Sequence, residues 1–224
     1  MDWVAITLSL RLAAIVAAVL LVVGTPIAYW LAFSRWRGRF VVEAIVSLPL
    51  VLPPTVLGFY VLLAIGSRGP IGRLWLAWTG HGLAFTFDAL VLASTLYSLP
   101  FAVQPMAAAF SLIDPTLLDA SAVLGASRLR TFFRIVLPLS IEGVVAGVVL
   151  SFAHTIGEFG VVLMVGGNLP GITRTVSIAI YDDTQAMNTA AANATALALL
   201  LFSFVVLSTV YAMVRKPWAA APLT

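Results

Sequence analysis

The stretch from Asp114 to Pro138, DPTLLDASAVLGASRLRTFFRIVLP, lies between strongly apolar segments and decides how the chain is organised. Asp114 predicts a helix N-cap, with Pro115 in the first helical position, where its missing N–H is tolerated. Gly125 predicts the end of this helix, because glycine adopts the left-handed conformation at little cost. Ser127 predicts the cap of a second short helix. We call residues 114–138 the elbow, since they predict a helix–Gly–helix turn between membrane spans.

Each predicted helix of the elbow carries an apolar face. On the first helix, apolar or small residues recur at i, i+3, i+4 and i+7, namely Leu117, Ala120, Ser121 and Leu124. The second helix presents a stripe with arginines around it, formed by Leu129, Phe132, Phe133 and Val136 and flanked by Arg128, Arg130 and Arg134. These faces indicate a docking element for a partner protein. The alternative is an amphipathic connector that lies on the membrane surface.

Composition places the chain in a membrane. It has 224 residues, of which 62% are hydrophobic and only 9% are charged, whereas a soluble domain carries roughly 25% charged residues. The net charge of +3 does not indicate nucleic-acid binding, because the arginines lie in short loops and not on one basic face. The absence of cysteine excludes disulfides, a thiolate nucleophile and a cysteine-based metal site.

The apolar segments predict an all-α integral membrane protein with five transmembrane helices. Crossing a bilayer takes about 20 apolar residues, and five segments satisfy this, approximately residues 8–33, 41–65, 89–110, 141–165 and 190–213. The first is expected to be a span and not a signal peptide, because its basic cluster follows the apolar run. Residues 66–86 predict an interfacial aromatic loop, and residues 172–187 a short surface helix. With no internal repeat, residues 1–224 are expected to form a single transmembrane domain.

The distribution of charge predicts the orientation. With the elbow in the cytoplasm, eight of the twelve basic residues lie on the cytoplasmic side, namely Arg35, Arg37, Arg39, Arg128, Arg130, Arg134, Arg215 and Lys216. The other four are Arg11, Arg68, Arg73 and Arg174. The N-terminus is then outside and the C-terminus inside. Glu43 is expected to pair with the arginine cluster that precedes it.

The second span contains Pro49, Pro53 and Pro54. These prolines remove backbone donors and must break or kink the helix. Freed backbone groups at membrane depth are tolerated only where protein or a water-filled cavity covers them. We therefore expect this span to face the protein interior, either beside a transport pathway or as a kink that serves packing alone.

His154 and Glu158 are four residues apart in the predicted fourth span, so they are expected to share one helical face. Ionisable groups inside a membrane mark pathways, relays or paired sites. Gly157 and Gly160 flank the glutamate and permit close backbone approach. Three interpretations stay open: a pathway group, a structural hydrogen-bonded pair, and a proton relay.

The sequence lacks the usual catalytic motifs. Lys216 is its single lysine and follows an arginine, which excludes a P-loop. Two histidines exclude a histidine-rich metal site, and Gly-x-Ser-x-Gly does not occur. We therefore expect a non-catalytic subunit without cofactor or metal, whose energy comes from a partner.

The elbow resembles the EAA loop of ABC-importer permeases. The matching residues, with the family's spacing, are Asp119, Ala120, Ser121, Gly125, Ile135, Leu137 and Pro138. Aspartate stands where that family has glutamate, and serine stands where it has its second alanine. The resemblance implies a type I importer permease in which these residues couple to a cytoplasmic ATPase.

Three further segments resemble molybdate ABC-transporter permeases, and sulfate/thiosulfate and tungstate permeases share parts of them. They are Leu48–Gly58, Gly157–Gly160 and Gly167–Thr175. The resemblance implies a bacterial cytoplasmic-membrane homodimer with two ATPase subunits inside and an oxyanion-binding protein outside.

A tetrahedral oxyanion that passes through such a permease needs modest N–H and hydroxyl donors, so that it is not held tightly and can leave the path again. Candidates for its outer mouth include Asn168, Thr173, Arg174 and Thr175; the other candidates for a pathway or gate are Pro49, Pro53, Pro54, His154 and Glu158. His154 stands where many relatives have arginine.

Two other classes of function remain open, an ion-coupled secondary transporter that uses His154 and Glu158, and a purely structural membrane subunit. Secondary transporters often show repeats and breaks in both halves, and the proline break is the single one visible in the sequence.

Overall fold

The computed structural model describes residues 2–214, which fold into helices and their connections. Eleven helices lie within these residues: α1 (Trp3–Phe33), α2 (Arg39–Val51), α3 (Pro54–Ile65), α4 (Pro70–Thr79), α5 (Phe87–Ser111), α6 (Pro115–Val123), α7 (Arg128–Leu139), α8 (Ile141–Gly157), α9 (Gly160–Gly166), α10 (Val176–Gln185) and α11 (Thr189–Val214). The predicted cytoplasmic residues Arg215 and Lys216 lie outside the described part.

The core is built where α1, α5 and α8 pack together. Its fully buried side chains include Leu12 and Leu20 of α1 and Met106 and Phe110 of α5. α8 approaches α5 closely through glycine, since a Cβ atom added at Gly147 would lie 2.7 Å from the carbonyl oxygen of Ala102. Small residues at such contacts are the usual means of packing helices in lipid, where backbones must come close to gain van der Waals contact.

Within residues 2–214, three helices are long and apolar enough to cross a membrane by themselves, namely α1, α5 and α11. Two bent pairs bring the number of candidate spans to as many as five, α2 with α3 at 113° and α7 with α8 at 77°. The all-helical class is therefore confirmed, while the total of five spans and the orientation stay predictions.

The proline break in the second span is confirmed. α2 ends at Val51, and Pro54 is the first residue of α3; Pro53 stands between them, and Pro49 lies buried inside α2. α3 then packs on α9, where a Cβ atom at Gly160 would lie 2.7 Å from the Cβ of Pro54. The broken span is thus covered by protein on its α3 side.

Two predictions about helix boundaries are wrong. The fourth span is not continuous, because α8 ends at Gly157 and α9 begins at Gly160, with an extended backbone at Glu158. Residues 66–86 also contain a helix, α4. The sequence contains local signals for the two ends of α4, namely Pro70 in the first turn and Gly80, which is in the left-handed conformation just after the last residue. The predicted surface helix forms as α10.

The two ends of the helical bundle carry different residues. At one end, the end of α1, the start of α2 and the end of α5 line a common cavity, and the rings of Tyr29 in α1 and Phe132 in α7 lie 5.6 Å apart. At the other end, Arg11 and Phe87 line a cavity with Gly171. Arg39 and the elbow therefore share one end. The predicted pairing of Glu43 is confirmed, as Arg39 Nη2 lies 2.8 Å from its carboxylate.

Candidate functional site

The first helix of the elbow begins and ends as its sequence predicts. The Thr116 backbone N–H donates to Asp114 Oδ1 over 2.9 Å, and this hydrogen bond lowers the pKa of that carboxyl from its ordinary value. At the other end, Gly125 has a φ of +72°. The Ala126 N–H then donates to the Ser121 carbonyl over 3.1 Å, which closes the helix end in the manner of a Schellman turn.

The second helix of the elbow is fixed against the first. Ser127 caps it, with its hydroxyl oxygen accepting from the Arg130 N–H over 3.3 Å. The hydroxyl oxygens of Ser121 and Thr131 lie 2.6 Å apart and are both buried. This hydrogen bond crosses from α6 to α7, so the angle of the elbow is set within the chain itself.

The predicted apolar stripes of the elbow are only partly exposed, because Val136 is fully buried in the core and Phe132 packs against that core. Val123 is 88% exposed, Leu124 86% and Leu129 71%, whereas Ser121 faces α7 and is buried. Of the predicted coupling residues, Asp119, Ala120, Gly125 and Pro138 are exposed, while Ile135 and Leu137 are half-buried. Exposed apolar residues that lie together mark interaction sites.

Glu158 lies at the joint between α8 and α9 and is only 4% exposed. Its Oε1 accepts from the backbone N–H groups of Val161 over 2.9 Å and Val162 over 3.2 Å. Its Oε2 accepts from the Ser94 hydroxyl over 3.2 Å, and its carbonyl accepts from the Ser177 hydroxyl. Glu158 therefore caps α9 and connects it to α5 and α10.

The prediction that His154 and Glu158 share one helical face is wrong. α8 ends one residue before the glutamate, so Glu158 leaves the helical face that carries the histidine. His154 Nδ1 lies 2.9 Å from the Ser98 hydroxyl oxygen, and its ring stacks on Phe101 with centroids 3.9 Å apart. The Ser98 oxygen also lies 2.9 Å from that of Thr155. His154 is thus held by α5 and not by Glu158.

The predicted residues of the outer mouth come together in one loop. Arg174 Nη2 lies 3.2 Å from Asp182 Oδ2, and Arg174 Nε donates to Asn168 Oδ1 over 2.8 Å. The Asn168 amide N–H donates to Asp182 over 2.7 Å. Thr173 is fully buried, and its hydroxyl donates to the Gly166 carbonyl over 2.7 Å. Asp182 therefore compensates the charge of Arg174, and Thr173 stabilises the loop from inside.

Sequence reasoning missed the serines that serve these groups. Ser94 and Ser98 supply the partners of Glu158 and His154, and both are fully buried in α5. A signal was present, because the two serines are four residues apart and must share a helical face. Hydroxyls on one face of an apolar helix indicate hydrogen bonds across a helix contact.

Comparison with known proteins adds three findings. A family model described as the binding-protein-dependent transport system inner membrane component matches residues 24–218. The chain is 51% identical over 215 residues to the molybdenum transport system permease protein ModB of Azotobacter vinelandii, covering 96% of this chain and 95% of that protein. To ModB of Escherichia coli K12 it is 38% identical over 184 residues, 82% of this chain and 80% of that protein.

A solved structure has the same fold. The chain superposes on a structure of the MetNI methionine ABC transporter in inward-facing conformations with a TM-score of 0.71. The superposition covers 94% of this chain and 95% of that chain at 18% sequence identity. At this identity the likeness shows a shared fold.

Proposed function

The chain belongs to the family of binding-protein-dependent transport system inner membrane components, and from this premise we propose that it is the permease subunit of an ATP-driven importer of molybdate. The observation that carries the proposal is the 51% identity, over nearly the whole chain, to a molybdenum transport permease. The protein is a multi-pass protein of the inner membrane. Tungstate and sulfate are the alternative substrates.

We infer that the elbow is the surface on which a cytoplasmic ATPase docks. Its angle is held by the hydrogen bond between Ser121 and Thr131, while Val123 and Leu124 are left exposed at its tip. A rigid element with apolar anchors loses little conformational entropy on binding. The permease itself is then non-catalytic, and ATP hydrolysis takes place on the partner subunits.

The proposed assembly contains two copies of this chain, two ATPase subunits and an extracytoplasmic oxyanion-binding protein. The family description supports the last of these, since transport in this family depends on a binding protein. Five spans with the N-terminus outside would put the elbow in the cytoplasm and the loop of Asn168 and Arg174 at the outer mouth. In this arrangement residues 1–224 act as one transmembrane domain.

We propose that the broken spans form the gate region of this permease. Pro54 of α3 meets Gly160 of α9, and Glu158 caps α9 beside that contact. A movement of α3 would therefore be transmitted to α9 directly. Pro49 and Pro53 lie on the α2 side of the break, and His154 of α8 is held by Ser98 of α5.

Uptake of labelled molybdate tests the function. Proteoliposomes that contain the permease with its ATPase, loaded with ATP and supplied with the binding protein outside, should accumulate molybdate. A protonophore should leave the uptake intact, because ATP supplies the energy. Uptake that needs no ATP and disappears with the proton gradient would establish a secondary transporter instead. Competition with tungstate and sulfate then ranks the three oxyanions.

Single cysteines test the orientation cleanly, because the chain contains no cysteine of its own. Ser127→Cys, at an exposed residue of the elbow, should react with an impermeant thiol reagent only from the cytoplasmic side. Leu169→Cys, in the loop after α9, should react only from outside. The reverse labelling would contradict both the orientation and the docking of an ATPase at the elbow.

A further inference from the structure

A groove runs along α5 on the side that faces α2, apart from the joint at Glu158, and one of its ends lies at the end of the bundle that carries the elbow. It consists of two adjoining cavities of about 360 and 370 Å³ that share Gln104 and Ala108. Each is many times the roughly 30 Å³ that one water molecule occupies in the liquid. We call the two together the α5 groove.

The floor of the α5 groove is one face of α5. Phe101, Gln104, Ala108 and Ser111 follow one another at intervals of three or four residues, so they lie in a row along the helix. Gln104 and Ser111 are exposed in the single chain. Polar side chains inside a membrane face the protein interior or a water-filled cavity, because lipid offers them no hydrogen bonds. This face of α5 is therefore directed at water or at another subunit.

Hydrogen-bond donors stand in the middle of the α5 groove. The Gln104 amide N–H donates to Ser47 Oγ of α2 over 3.1 Å. A glutamine amide has two N–H donors and a serine has one O–H, so this bond leaves one amide N–H and the serine proton free to donate. The pair can therefore offer two neutral donors to an oxygen atom in the groove.

The two ends of the α5 groove differ. At the end shared with the elbow, Arg39 and Glu43 form an ion pair whose side chains are 40% and 44% exposed. Their charges cancel, so an anion that reaches this end is not held there. At the opposite end the ring of Phe101 stacks on His154. The α5 groove thus extends from the Arg39–Glu43 ion pair to the stacked rings of Phe101 and His154.

We propose that the α5 groove is the cytoplasmic part of the path of the oxyanion. In this path, the free N–H of Gln104 and the free O–H of Ser47 bind the anion transiently during transport. This inference rests on the proposed function. Neutral donors suit a conduit, because a tetrahedral dianion must be bound firmly enough to enter and weakly enough to leave. A fixed positive charge would retain it.

Two variants of Gln104 with similar side-chain size distinguish an anion path from a purely structural role of the Gln104–Ser47 pair. Gln104→Glu keeps an oxygen that can accept from the Ser47 hydroxyl, so it preserves the tether between α2 and α5 but adds a negative charge. Gln104→Met keeps the size and removes both the tether and any charge. If the pair only joins the helices, the methionine variant is the more damaged; if it lines an anion path, the glutamate variant is.

We expect molybdate uptake to fall about 100-fold or more in Gln104→Glu, because like charges at contact distance repel strongly in a partly desolvated groove. In Gln104→Met it should fall less than about tenfold, since the loss of one neutral donor removes only a modest hydrogen bond. Copurification of the ATPase serves as the measure of assembly for both variants. Equal losses, no loss, or a greater loss in the methionine variant would each overturn the proposal.

Chemical modification of an Ala108→Cys variant gives a second measurement. The negative charge is added only after the protein has folded, so a folding defect cannot explain the result. Ala108 is exposed in the groove, so an anionic methanethiosulfonate should modify the cysteine from the cytoplasmic side and block uptake. Saturating molybdate during transport should slow this modification. Modification that molybdate leaves unchanged would contradict the path, even where Gln104→Glu fails to assemble. Absence of ATP-driven molybdate uptake by the unaltered transporter would instead refute the proposed function itself.

Discussion

Replacing Gly125 with valine is expected to lower ATP-driven molybdate uptake at least about tenfold, because a non-glycine residue in the left-handed conformation is strained by roughly 1–2 kcal/mol and a β-branched residue by more. Gly125 has a φ of +72°, and a Cβ atom there meets nothing within 4 Å. The backbone conformation alone thus opposes the substitution. Relief of the strain would turn α6 relative to α7 and displace Leu124, the exposed tip of the elbow. Uptake and copurification of the ATPase measure the effect.

Two variants control this experiment. Gly125→Asn should retain most of the uptake, because asparagine tolerates the left-handed conformation better than other side chains. Gly82→Val is the matched glycine substitution elsewhere, since a Cβ atom there also meets nothing within 4 Å and the residue does not have a left-handed φ. Normal association of the ATPase with the Gly125→Val variant would contradict docking at the elbow.

Glu158→Ala is expected to abolish uptake and to lower the thermal stability of the detergent-solubilised protein. The substitution removes the acceptor of the Val161 and Val162 N–H groups and of the Ser94 hydroxyl. A buried donor left without a partner costs about 1–3 kcal/mol, and lipid around the joint supplies no substitute. We expect the joint between α8 and α9 to open, so that α9 loses its fixed position against α3.

Glu158→Gln separates the shape of this side chain from its charge. The amide oxygen can still accept from both backbone N–H groups, and the amide N–H can donate to the Ser94 oxygen. Stability should return close to that of the unaltered protein, with uptake only partly reduced. A stable glutamine variant without any uptake would show that the negative charge itself is needed, and a protonophore would then reveal whether protons are coupled to transport.

The sequence by itself determined the elbow and the membrane class. Asp114, Gly125 and Ser127 act on backbone groups no more than a few residues away, so the capping rules apply without knowledge of the rest of the chain. The break before Pro54 was equally local, because proline removes its own N–H and constrains the residue before it. Composition predicted the apolar spans, since lipid demands them of any helix that crosses it.

Only the tertiary structure decided what the buried polar groups do. Helical periodicity put His154 and Glu158 on one face because it assumes an unbroken helix, yet the carboxylate of Glu158 satisfies the first N–H groups of a new helix. That arrangement depends on Ser94, 64 residues away along the chain, and on Pro54 packed against Gly160. A buried hydrogen bond takes its energy from a partner in space, and one sequence does not reveal which distant residue folding will bring there.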